Sequence, residues 1–104
     1  MIQSFSGPYS FDKYTVTNWN STQIGVYYCG FLTAQGTLVC HYVGQAVGEG
    51  GLRGRLLQHL SENKWPDVSH FGYAVCATAA EAVNLEAQEI IRLKPKYNIQ
   101  GKRL

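Results

Sequence analysis

Residues 40–60, "CHYVGQAVGEGGLRGRLLQHL", hold the key to the architecture, because the chain changes its period inside them. The run that leads in, "LVCHYVG" at 38–44, is rich in β-branched and aromatic residues and suits a pleated strand. Beyond it Leu52, Leu56, Leu57 and Leu60 recur at helical spacing, so "LRGRLLQHLSEN" is predicted to be an amphipathic helix ending before Lys64-Trp65-Pro66. Five glycines, from Gly44 to Gly54, lie across the change. They could be a phosphate cradle or a connection. A Walker loop needs G-x-x-x-x-G-K-[ST], and nothing here pairs Lys with Ser or Thr. A dinucleotide fingerprint needs a third glycine where Arg53 stands. The glycines therefore read as a connection between two elements.

Upstream, "IGVYYCGF" at 24–31 has the same strand composition as 38–44, and "LTAQGT" between them is turn-like, so a β-hairpin is expected. Downstream, "HFGYAVCA" at 70–77 reads as a third strand. Thr78 with Glu81 three residues later forms a capping box for a helix from Ala79 to Leu93, which Pro95 stops. The order is β-β-α-β-α and the class α+β around a small sheet. All 104 residues fit one domain: an N-terminal arm (1–23) to which no element is assigned, a core (24–98) and a basic tail (99–104).

Composition narrows the function classes. No apolar run approaches the roughly 20 residues that span a bilayer, and no basic stretch followed by an apolar one opens the chain, so a soluble, cytoplasmic protein without membrane contact is expected. Cys29, Cys40 and Cys76 form no C-x-x-C pair and read as reduced core residues. The net charge is only +2, but five of the nine Lys and Arg residues (Arg92, Lys94, Lys96, Lys102, Arg103) fall in the last 13 positions. With Arg53 and Arg55 they are candidate phosphate contacts, although a solvated chain end accounts for such a tail as well.

Some residues resist a purely structural reading. On a helical wheel Ala79, Val83, Ala87, Ile90 and Leu93 make one apolar arc with Glu86 inside it, whereas Glu81, Gln88, Glu89 and Arg92 fall on the opposite side. A carboxylate in an apolar arc needs an ion-pair partner, an outlet to water or a metal. Arg55 and His59 stand at i,i+4 on one flank of the leucine stripe. Tyr27 and Tyr42 lie on paired strands, and an odd pairing sum brings both phenols to one face while an even sum separates them.

Taken in order, Gly25-Val26-Tyr27, Tyr42-Val43-Gly44, Arg55 with His59, Glu86 in "NLEAQEIIR" and Asn98 in "KPKYN" resemble the GIY-YIG nuclease family, including the N-terminal nuclease domain of bacterial excision-repair proteins. The resemblance covers residues 24–98. It implies a three-stranded antiparallel sheet flanked by helices, and an endonuclease that hydrolyses phosphodiester bonds in DNA through an activated water with one Mg²⁺ or Mn²⁺ per site. It also implies roles: Glu86 as metal ligand, Arg55 at the scissile phosphate, Tyr27 and Tyr42 around the attacking water, His59 near the water or leaving group, and Asn98 closing the site. Arg53, Lys94 and Lys96 would be further nucleic-acid contacts. Gln45 stands where some members have Lys, and both the hairpin and the segment before Arg55 are longer than usual. A chain this short would dimerise, borrow a partner protein or cut without sequence preference. The alternative is a module of the same fold that binds nucleic acid, or is recruited as a subunit, without catalysis.

Overall fold

The computed structural model describes residues 5–19, 22–62 and 65–101, the side chains of 99–101 excepted. The elements are β1 (Ser6–Ser10), α1 (Lys13–Thr17), β2 (Gly25–Leu32), β3 (Leu38–Ala46), α2 (Gly51–Glu62), β4 (His70–Val75), α3 (Ala79–Leu93) and α4 (Lys96–Gly101). The sheet is antiparallel throughout, in the order β1-β4-β2-β3. Among the described residues it thus has four strands, not the three expected. The fourth comes from the N-terminal arm, whose "SGPYS" carries a glycine, a proline and two serines and so lacks strand composition. Such a segment can pair only at an edge, and its register with β4 shifts between Ser6 and Tyr9. Residues 102–104 of the expected basic tail lie outside the described residues.

β2 is central, and its first six residues are all buried, because both faces of the sheet are covered. On one face Tyr27, Cys29 and Phe71 pack with Val16 of α1 and Leu52 and Leu56 of α2. On the other Val26, Tyr28, Val43 and Ala74 pack with Ala82 of α3. Each fully buried leucine contributes about 1.5–3 kcal/mol, which is why the leucine stripe settles α2 on the sheet.

The hairpin register sets which side chains share a face. Tyr27 pairs with Gly44 and Cys29 with Tyr42, so the pairing sum is odd here and both phenols share the α2 face. Beyond Cys29 the register slips, Gly30 pairing with Cys40, which leaves His41 as the extra residue of a β-bulge. The bulge puts Cys40 on the α3 face even though Tyr42, two residues on, is on the other.

The glycine segment forms a tight turn. Gly50 (φ 90°) and Gly51 (φ 56°) both take left-handed backbone, and a Cβ on Gly51 would meet the Thr22 carbonyl at 2.0 Å. The Leu52 N–H then bonds the Gln23 carbonyl and pins the start of α2 to the segment that leads into β2.

α3 begins as expected, with Thr78 accepting from the Glu81 N–H and Glu81 reaching back to the Ala77 N–H. Its buried face is rotated from the expected arc. Ala82 is fully buried while Val83 is 45 % exposed and Ala79 and Ala87 lie in solvent. Glu89, placed on the solvent side by the wheel, is only 13 % exposed because the Tyr28 hydroxyl and Arg92 both bind its carboxylate. Exposing small apolar residues costs little, so a partner for the carboxylate outweighs the wheel.

Candidate active site

Tyr27 starts the site. Its ring lies against Gly44 of the neighbouring strand, where a Cβ would come within 2.3 Å of the phenol oxygen. The glycine of Tyr42-Val43-Gly44 is there because the tyrosine of Gly25-Val26-Tyr27 needs its space. So directed, the Tyr27 Oη lies 2.8 Å from Nε2 of His59 on α2. The i,i+4 step carries Arg55 one turn before His59, on the same flank of the helix. The Tyr42 ring closes the group, 6.1 Å from that of Tyr27 and 5.4 Å, edge-on, from the His59 imidazole.

Electrostatics bind these four side chains together. Burial pushes the Tyr27 phenol far above its ordinary range and the Tyr42 phenol adds to this, while the Arg55 guanidinium opposes both. The Tyr42 phenol is raised as well, first by burial; Arg55 pulls it down and the Glu86 carboxylate pushes it up. Neither tyrosine can therefore shed its proton alone near neutral pH. Arg55 also donates from Nη1 to Gln58 Oε1 at 2.6 Å, a neutral partner that leaves its charge available.

Glu86 reaches the group from the opposite side. It sits on α3, and because β3 is an edge strand its half-buried carboxylate comes to the rim beside Gln45, whose Nε2 donates to it at 3.2 Å. The Gln45 Oε1 is buried without a hydrogen-bond partner among the described residues. Glu86 and this oxygen are the donors a hard cation could use. Among the described residues no group of three or more His, Cys, Asp or Glu is gathered.

The other expected residues go elsewhere. Asn98, 8 % exposed, accepts from the Val43 N–H (2.7 Å) and donates to the Val43 carbonyl (2.9 Å), so α4 covers the free edge of β3 between Tyr42 and Gly44. Its effect on the phenols passes through the strand. Arg53 donates to the Thr17 carbonyl of α1 at 3.1 and 3.3 Å, away from the tyrosines. Lys94 is exposed and caps α3 in left-handed backbone. Lys96 bonds Asp67 at 2.5 Å, and together with Tyr97 it holds the Asp67 carboxyl down at about 2.

Three residues of this region are missed by reading the sequence. Trp65 walls the group, its ring 4.4 Å from that of His59 and 4.7 Å from that of Tyr42. Gln58 and Glu62 extend the polar network along α2. Their only signal is spacing, three and seven residues after Arg55. No protein-family model matches the chain, and no curated protein matches it in sequence.

Proposed function

We propose that the chain is a metal-dependent endonuclease that hydrolyses phosphodiester bonds in DNA, with its site built by Tyr27, Tyr42, Arg55, His59 and Glu86. The observation that carries this reading is the packing of two phenols, an imidazole and a guanidinium into one group, with a carboxylate acting on it across an edge strand. Phosphodiester cleavage needs an oriented water, a place for its proton and positive charge at the phosphate. Each need has a residue of suitable type here.

Tyr27 has no exposed surface, whereas Tyr42 is half-buried, so Tyr42 is the phenol that can touch the attacking water. As the water oxygen bonds to phosphorus, its proton passes to Tyr42, the Tyr42 proton to Tyr27, and the Tyr27 proton to His59. No phenolate accumulates, in keeping with the raised Tyr27 and Tyr42 phenols. The bond from phosphorus to the leaving oxygen breaks, that oxygen takes a proton from solvent, and His59 returns its own to solvent. Arg55 offsets the charge that builds on the phosphate oxygens. A divalent ion on Glu86, with the Gln45 oxygen as a second donor, would supply further positive charge at the same phosphate.

The test is incubation of the purified chain with labelled single-stranded, duplex and forked DNA in Mg²⁺ or Mn²⁺, beside Glu86→Ala. Metal-dependent cutting that the substitution abolishes supports the reading. Cutting that survives it removes Glu86 from the site, and binding without any cutting would point to the module that binds nucleic acid without catalysis.

A further inference from the structure

We infer that Glu62 is a positioning residue, which holds the His59 imidazole with its proton on Nδ1 so that the bare Nε2 faces Tyr27. The inference rests on the nuclease reading for its purpose, but not for its geometry. Nδ1 of His59 lies 3.7 Å from Glu62 Oε1, while Nε2 lies 2.8 Å from the Tyr27 Oη. The two ring nitrogens thus face a carboxylate and a phenol. A carboxylate can only accept, here at ion-pair and not hydrogen-bond distance, and a phenol can donate, so the arrangement favours the Nδ1–H form, in which the phenol donates to Nε2.

The carboxylate is itself placed. Gln58 Nε2 lies 3.5 Å from Glu62 Oε2, and the Gln58 Oε1 takes the Arg55 Nη1 bond at 2.6 Å. Arg55, Gln58, Glu62 and His59 thus form one polar track on α2 that ends at Tyr27. A carboxylate behind an imidazole also raises its affinity for a proton, which is what the terminal acceptor of the Tyr42–Tyr27–His59 transfer needs. Exposure fits the division of labour, with the His59 side chain 10 % exposed and that of Glu62 33 %. Of the ionisable groups among the described residues, Tyr27 from β2, Tyr42 from β3 and Glu62 from α2 face His59, and Arg55 lies one turn before it on the same helix flank.

The test compares the parent chain with Glu62→Gln and Glu62→Leu by ¹⁵N NMR of the His59 ring across a pH titration, and by single-turnover cleavage. The parent should show the Nδ1–H form. Glu62→Gln keeps an acceptor without the charge, so the form persists while the His59 midpoint moves to lower pH. Glu62→Leu should give mixed forms and roughly 10-fold slower cleavage. Because cleavage requires neutral His59, the acid limb of the rate profile should move to lower pH in Glu62→Gln, along with the NMR midpoint. Ring shifts and midpoints unchanged in both variants would overturn the inference. NMR changes of the expected kind in a chain that cuts no DNA would uphold the positioning by Glu62 and sink the nuclease reading instead.

Discussion

On one face of the sheet the Tyr27 phenol oxygen meets a nitrogen of His59 at 2.8 Å; on the other, the Tyr28 phenol donates to Glu89 at the same distance. Both phenols are pushed well above their ordinary range, in each case first by burial. The partners differ. Glu89 is already clamped by Arg92 through two bonds of 2.6 and 2.8 Å, and its carboxyl is held below the usual range by that guanidinium. It is a poor acceptor of a further proton, so the Tyr28 bond is a static tie between β2 and α3. An imidazole titrates near neutral pH and can take a proton and give it back. Two adjacent tyrosines with the same hydrogen-bond length thus serve different ends, and the chemistry of the acceptor separates them.

The two faces should part most visibly at their guanidiniums. Arg55→Ala should lower single-turnover DNA cleavage by about 100- to 1000-fold, whereas Arg92→Ala, on the opposite face, should change it less than about threefold. Equal losses would show that the two faces do not differ as described. Next come the phenols themselves. Tyr27→Phe should slow cleavage about 100-fold and Tyr28→Phe should leave the rate alone, while each costs about 1–2 kcal/mol in urea unfolding because each removes the hydrogen bond of a buried phenol.

Asn98→Ala probes the same division from the edge of the sheet. It leaves the Val43 N–H and carbonyl without their side-chain partner and should cost about 2 kcal/mol in urea unfolding. Any loss of cleavage should appear in the chemical step, through the placement of Tyr42, because Asn98 bonds the backbone of the strand that carries it. The smallest effect concerns pH. The Glu89 carboxyl is lowered from 4.5, so its contribution is complete above that value and falls away as pH drops through the folded value. The stability difference between the parent and Glu89→Gln should therefore shrink on acidification, read from urea melts at a series of pH values. A difference that stays constant would mean Glu89 acts through packing and not charge.

Much of the framework was legible because it is local. The hairpin, the leucine stripe of α2 and the Thr78–Glu81 cap are written in residues a few positions apart, and the spacing of Arg55 and His59 puts them on one helix flank. The edge strand β1 was not legible, since "SGPYS" joins the sheet through what β4 offers and not through its own composition. Nor was the buried face of α3. Whether Glu86 or Glu89 turns inward depends on where Gln45 and Tyr28 wait across the sheet, and a wheel has no knowledge of either.

The order of residues alone set where the hairpin, α2, β4 and α3 form and that Tyr27 and Tyr42 lie on adjoining strands. The parity of the hairpin register, the bulge at His41 that parts Cys40 from Tyr42, and the meeting of Tyr27 with His59 were settled only by the folded chain. The reason is physical. Helix caps and periodicities are set by neighbours in the chain, whereas a register, a buried hydrogen bond and a phenol's affinity for its proton are set by whatever the fold places within a few ångströms.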